Sequence, residues 1–176
     1  MKEFVLICDT CKRCKHENIA YLGLLQPLPI PDQAWTSVSI DFVEGLPRLE
    51  GKDNILVVVD RLTKFAHFIE LAHPYTTQEV ARVFLDRVVA LHGVPKFIIS
   101  DRDKIFTSLL WQELMKALRT KLNTFTAYHP QSDGQTERVN QSLETYLRCV
   151  CIVQPKGWHR WLPWPNSCIT LTTTPP

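Results

Sequence analysis

The chain has 176 residues, enough for one ordinary domain with a short appendage. Its hydrophobic fraction of 45% excludes an intrinsically disordered chain. The net charge of +2 gives no bulk attraction to nucleic acid, so DNA binding would depend on where the basic side chains lie. Its apolar runs are too short for a membrane span or a secretory signal, and we expect a soluble intracellular protein with no membrane partner.

The N-terminal segment, residues 1–20, is basic and rich in cysteine. Cys8, Cys11 and Cys14 crowd together, a spacing that suggests metal binding in a reducing compartment rather than a disulfide framework. Several prolines follow within residues 21–34 and disfavour a helix. We therefore predict an extended linker there, and a domain boundary at its end.

Three strands are predicted next, over residues 35–43, 54–60 and 64–71. Val38, Ile40 and Phe42 alternate with polar residues, as in a half-buried strand. Residues 54–60 are continuously apolar and β-branched, which is typical of a strand buried on both faces. The third strand follows closely enough to pair antiparallel with the second.

Helices then alternate with strands. A capping box at Thr76 and Glu79 starts a helix whose apolar positions are Val80, Phe84, Val88 and Leu91, and Gly93 ends it. A buried strand at 96–100, a helix at 108–118, a strand at 122–126 and a long helix at 134–152 complete the order βββαβαβα. This order predicts an α/β fold, a mixed five-stranded sheet flanked by helices.

Three carboxylates occupy informative positions in these elements. Asp41 lies between apolar neighbours in the first strand, Asp101 ends a buried strand, and Glu137 lies in the first turn of the last helix. Oxygen ligands from three separate elements suit a hard cation such as Mg²⁺ or Mn²⁺. Two such ions could activate an attacking oxygen and stabilise the leaving oxygen of a phosphodiester.

A purely structural interpretation of each carboxylate stays open at this point. An aspartate at a strand end often caps the following turn, and a glutamate in the first turn of a helix complements the helix dipole. The pattern alone therefore leaves the function undecided.

Four runs of sequence resemble the integrase of gypsy-type LTR retrotransposons and, more distantly, retroviral integrases. They are SIDFVEGLP (39–47), ILVVVDRLTKFAHF (55–68), SDRDKIF (100–106) and AYHPQSDGQTERVN (127–140). Between Asp101 and Glu137 lie 35 residues, the spacing of that family's D,D(35)E signature. The resemblance covers roughly residues 4–164.

The resemblance implies a ribonuclease H-like catalytic core at 35–155, with Asp41, Asp101 and Glu137 as its catalytic, metal-binding carboxylates. The family trims the 3′ ends of element cDNA and joins them to host DNA, using Mg²⁺ or Mn²⁺. The implied partners are both DNAs and, for the full-length protein, further copies of itself. The implied location is the nucleus, after a cytoplasmic particle.

Residues 1–20 are similar to the end of the family's His-His-Cys-Cys zinc-binding domain, with Cys8 and Cys11 as two of its ligands. Zn²⁺ is expected only if the two histidines lie upstream, since two thiolates do not complete a tetrahedral site. After Trp164 the chain departs from the family, so residues 156–176 are expected to be a divergent or truncated tail. Arg119 stands where relatives commonly have glycine, which predicts a strained helix end if φ is positive there.

Lesser candidates surround the acidic residues. His129 and Gln131 lie in a loop that contacts DNA ends in the family, and Lys104 and Arg138 could contact phosphates. A solvated charged face is the alternative for the two basic side chains. We expect Trp158, Trp161 and Trp164 to be packing aromatics rather than a platform on which bases stack. Asp60 and Asp103 are expected to cap turns rather than bind metal, and Cys149 and Cys151 to be ordinary buried or half-buried thiols.

The sequence favours a fragment of a Pol polyprotein that acts as a DNA-strand transferase. A catalytically inactive nucleic-acid-binding remnant of a decayed element is the alternative. A ribonuclease-type hydrolase of the same fold is disfavoured because the run at 127–140 is integrase-like.

Overall fold

The computed structural model describes residues 8–9, 31–124, 134–152 and 155–162. The described residues form five strands and three helical regions, the first of which consists of two α-helices joined by a π-helical segment, and a short 3₁₀ helix follows. The order of strands and helical regions agrees with the predicted one. The strands are β1 (Ser37–Val43), β2 (Asn54–Asp60), β3 (Ala66–Leu71), β4 (Phe97–Ser100) and β5 (Lys121–Thr124). The helices are α1 (Thr77–Phe84), α2 (Ala90–His92), α3 (Leu109–Ala117) and α4 (Gly134–Val150), followed by a 3₁₀ helix (Pro155–Trp161).

The strands form one mixed sheet in the order β3-β2-β1-β4-β5. β1 pairs antiparallel with β2 and β2 with β3, whereas β1–β4 and β4–β5 are parallel pairs. The predicted five-stranded mixed sheet is therefore confirmed. Among the described residues no helix is both long and apolar enough to cross a bilayer.

The two faces of the sheet are covered by different helices. Val38, Ile40 and Val58 point to one face and pack with α1 and α3, where Phe84 and Trp111 are fully buried. The other face packs against α4 and the 3₁₀ helix, through residues that include Val57, Leu143 and Trp158. Alternate residues of one strand thus serve two separate cores, as the period of a strand requires.

The first helix departs from the sequence prediction in its second half. The capping box at Thr76 and Glu79 is present, but α1 continues through a π-helical segment (Leu85–Val89) before α2. A π-turn inserts one residue and rotates everything after it around the helix axis. Leu91, predicted to continue the buried stripe, is consequently 67% exposed, and His92 is half-buried instead.

The strand predicted from residue 35 begins only at Ser37, because Trp35 has a positive φ of 61° that no extended strand accommodates. Arg119 also has a positive φ, 58°, as expected for a glycine-type position. The backbone N–H of Arg119 donates to the carbonyl of Lys116, and that of Thr120 to the carbonyl of Met115. These two bonds form a Schellman motif at the end of α3, which holds Arg119 in the left-handed region.

The packed core extends past residue 155. Trp158 is buried in the cluster on the α4 face, and its indole N–H donates to the carbonyl of Pro47 at 2.8 Å. Leu162 is buried in the same cluster. Trp161 is 40% exposed, so only part of its side chain is covered; Trp164 lies outside the described residues.

Candidate active site

Asp41 and Asp101 are brought together by the parallel pairing of β1 and β4. The last paired residues are Ile40 and Ser100, and the two aspartates come directly after them. Neighbouring strands lie about 4.8 Å apart, so two residues at equivalent positions on adjacent parallel strands are immediate neighbours. Asp41 is half-buried and Asp101 is exposed at the same edge of the sheet.

The long helix α4 completes this edge from the side. The Asn140 amide donates from Nδ2 to Oδ2 of Asp41 at 2.6 Å, across 99 residues of sequence. Glu137 is three residues earlier in the same helix, so its position shares the face of α4 that meets Asp41. The Glu137 side chain lies outside the described part of the chain, and the backbone alone places this residue beside the sheet edge.

Asn140 is not among the site residues predicted from the sequence. It is only 9% exposed, and its Oδ1 atom is buried with no hydrogen-bond partner. A buried amide that spends one group on a carboxylate and leaves the other unpaired costs stability, which is a feature of functional sites rather than of cores. The sequence held one usable signal, the spacing of three from Glu137 along a helix.

Other carboxylates lie close to Asp101 at this edge. Burial raises the pKa of Asp101, and the charges of Asp103 and Glu44 raise it further, whereas a hydrogen bond from the backbone N–H of Asp103 opposes the rise. That bond is 3.1 Å long. A divalent cation bound at this edge would remove the repulsion among these carboxylates.

A second layer of contacts fixes the residues around Asp101. Tyr75 donates its hydroxyl to Oε1 of Glu44 at 3.1 Å, and burial together with that carboxylate raises the pKa of Tyr75 to about 12. The ring of Tyr75 also stacks on Phe42, the neighbour of Asp41. Asp41 itself accepts a 2.8 Å hydrogen bond from the backbone N–H of Phe42.

Of the four residues predicted to contact DNA, the structure describes the side chains of two. Lys104 and Arg138 are exposed near this edge, the first in the turn after Asp101 and the second in the residue after Glu137. His129 and Gln131 lie outside the described residues, as do Cys11 and Cys14. The Cys8 side chain is half-buried.

Asp60 and Asp103 cap turns, as predicted. Asp60 accepts from the backbone N–H and hydroxyl of Thr63, and Asp103 accepts from the backbone N–H of Ile105. Cys149 is half-buried and Cys151 buried, which confirms the expectation for those thiols.

Known proteins that are similar to this chain in sequence include transposon polyproteins. The Tf2-3 and Tf2-4 transposon polyproteins of Schizosaccharomyces pombe are each 41% identical to the chain over 158 residues, 90% of its length. The chain is similar to a segment of these transposon polyproteins. It spans 12% of the length of those relatives. No protein-family model matches it.

Solved structures show the same fold. A chain of the simian T-cell lymphotropic virus intasome, in complex with the PP2A regulatory subunit B56 gamma, superimposes with a TM-score of 0.66 at 19% identity. That match covers 94% of this chain and 58% of the other. The HTLV-2 integrase catalytic core domain, in complex with magnesium in a dimeric form, has a TM-score of 0.60 at 19% identity and covers 76% and 84%. The ribonuclease H-like fold predicted from the sequence is thereby confirmed.

Proposed function

We propose that this integrase segment catalyses metal-dependent 3′-end processing of element cDNA and its strand transfer into host DNA. Asp41, Asp101 and Glu137 are the catalytic carboxylates. The observation that carries the proposal is the convergence of Asp41, Asp101 and the first turn of α4 at one sheet edge. The 41% identity to transposon polyproteins supports it.

The donor set fits a hard divalent cation. Carboxylate oxygens from a strand, a strand end and a helix can converge on Mg²⁺ or Mn²⁺ while leaving positions open for water or phosphate. The HTLV-2 core of the same fold is described in complex with magnesium. When bound, the metal would lower the pKa of the attacking water and stabilise the charge that develops on phosphate.

The chain's own groups then have defined parts. Asp41 is oriented by its bonds to Asn140 and to the Phe42 backbone, so its carboxylate does not need to reorganise. In end processing, water attacks phosphorus and one P–O bond of the cDNA strand breaks. In strand transfer the new 3′-hydroxyl is the nucleophile, one P–O bond forms as another breaks, and no nucleotide cofactor is needed.

The partners follow from the reaction. Both reacting molecules, the element cDNA and the host target, are DNA. Lys104 and Arg138 are exposed where they can reach its phosphates. We further propose that His129 and Gln131 contact the DNA end, that the full-length protein acts as a homo-oligomer, and that it works in the nucleus. Cys8 and Cys11 would bind Zn²⁺ together with histidines from upstream sequence.

The test is replacement of Glu137 by glutamine in a longer protein that carries the neighbouring polyprotein sequence. Glutamine keeps the shape but removes the charge, so we expect strand transfer to fall at least 100-fold with little change in the free energy of unfolding. The matched control is Glu113→Gln on α3, an exposed glutamate whose salt-bridge oxygen lies 3.8 Å from Lys116. Unchanged strand transfer in E137Q would refute the assignment and leave the inactive DNA-binding remnant as the better interpretation.

A further inference from the structure

A tryptophan and two histidines meet at the end of the sheet opposite the carboxylates. Trp35 lies just before β1, His67 is the second residue of β3, and His92 ends α2. β3 begins where Asp60 ends β2, beside the start of β1, whereas Asp41 is near the end of β1. This cluster, Trp35–His67–His92, therefore has no part in the proposed DNA chemistry.

The two imidazoles point at each other. Nε2 of His67 lies 2.7 Å from Nε2 of His92. The indole of Trp35 stacks on the His92 ring with centroids 3.6 Å apart and an angle of 4° between the planes. The backbone N–H of Trp35 in turn donates to the fully buried Asp60 at 2.9 Å. Stacking and this anchor hold the His92 ring in a fixed plane.

The π-helical segment is what delivers His92 to this position. In an uninterrupted α-helix the buried stripe through Phe84 and Val88 would continue at Leu91. The extra residue of the π-turn rotates Leu91 into solvent and His92 toward the sheet. Such turns occur frequently at functional sites.

We propose that His67 and His92 form a two-histidine site for a borderline divalent transition-metal ion, with Zn²⁺ as the representative case. Imidazole Nε2 is a preferred ligand atom of such ions, at about 2.0–2.1 Å. Two nitrogens on one tetrahedral ion are about 3.3 Å apart by that geometry, so the rings need to separate by about 0.6 Å from their direct contact. A small rotation of His67, which Trp35 does not stack on face to face, provides this.

Protons offer little competition for the site. Burial, and then the neighbouring His92, lowers the pKa of His67 to about 4, and burial also lowers the pKa of His92. The neutral imidazole is the form that binds metal, and a lowered pKa favours it. Asp60 supplies a nearby negative charge, although its oxygens are already bonded to Trp35 and Thr63.

Water would complete the coordination shell. Both histidines are half-buried, and within the described residues no group of three or more His, Cys, Asp or Glu side chains converges here. Binding should consequently be weaker than in a four-ligand structural zinc site. A bound ion would link β3 to the end of α2, next to Trp35, which lies just before β1. This inference is independent of the proposed strand transfer.

The experiment is calorimetric titration of Zn²⁺ into the whole chain with Mg²⁺ in large excess, which occupies the carboxylate edge. Cys8, Cys11 and Cys14 are replaced by serine so that the thiolates of this cluster do not bind the zinc. We expect one zinc per chain, with His67→Gln and His92→Gln each weakening binding at least tenfold. The matched control, His73→Gln, changes an exposed histidine and should bind as the parent does.

Absence of zinc binding in the parent, or unchanged binding in both variants, would overturn the proposal. NMR of the parent protein guards against variants that fail to fold. The imidazole ring protons of His67 and His92 should shift together as zinc is added. Shifts at His73 or His159 alone would equally refute the site.

Discussion

The hydrogen bond from Asn140 to Asp41 yields the most direct test of how the site is held together. Asn140→Ala removes the 2.6 Å bond and the amide that makes it. A hydrogen bond to a charged group contributes about 1.5–3 kcal/mol. If that energy serves to orient the carboxylate in the transition state, the turnover rate should fall by about 10- to 150-fold.

The effect on folding should be much smaller than the effect on rate. The same substitution deletes the buried, unpaired Oδ1 atom of Asn140, and removing an unsatisfied polar group offsets part of the lost bond. We therefore expect the free energy of unfolding to change by no more than about 1 kcal/mol without metal. Apparent affinity for Mn²⁺, followed by its paramagnetic relaxation of water protons, should weaken in step with the rate.

Asn123→Ala is the matched control, because Asn123 is an exposed asparagine on β5 that contributes to no part of the site. Strand transfer would be measured in the longer protein and unfolding by chemical denaturation of both variants. A normal rate and normal Mn²⁺ affinity in N140A would refute the positioning role. A rate loss that matched an equal loss of stability would refute it as well, because Asn140 would then be structural.

Three further changes test the fold and its charges. Arg119→Gly should raise the free energy of unfolding by about 0.5–1 kcal/mol, because the Schellman motif holds residue 119 at a positive φ, which glycine adopts without steric penalty. An unchanged denaturation midpoint would contradict this. Asp101→Asn should raise the melting temperature at pH 7 in a chelating buffer, because burial and neighbouring carboxylates penalise its charge, and a lower melting temperature would argue against that penalty. Hydrogen bonds from Thr76 lower the pKa of Glu79, so its stabilisation is present above its unfolded pKa and lost as the pH falls through the folded value. In Glu79→Gln the free energy of unfolding should therefore depend less on pH below that unfolded pKa, which acid titration of the two proteins would show.

Most of the sheet could be predicted because its strands carry strong local patterns. β2 has the predicted bounds, since a continuous β-branched run buried on both faces admits few other structures. The capping box and the terminal glycine of the first helical region were equally readable. The π-turn was not, because it leaves no trace in composition and only displaces the period, which is why Leu91 was assigned to the core.

The residues of the candidate site differ in how well the sequence alone predicts them. Asp41 and Asp101 lie at strand positions that topology brings together, so a correct strand order was sufficient. Asn140 could not be assigned by pattern, because a polar residue on a helix is normally solvated and only tertiary packing buries this one. The resemblance to integrases carried Glu137, whose first-turn position alone equally suits a helix-dipole role.

The carboxylates at the ends of β1 and β4 affect both the stability of the fold and its expected affinity for metal. Asp41 and Asp101 are adjacent because β1 and β4 are parallel, and Glu44 and Asp103 add charge that the fold itself does not neutralise. Burial and these two charges disfavour the ionised form of Asp101 in the metal-free core. A cation bound there would offset this penalty on the charge of Asp101. Substitutions that neutralise one carboxylate should therefore stabilise the metal-free fold and weaken metal binding together, and this coupling distinguishes a catalytic edge from carboxylates that merely cap turns.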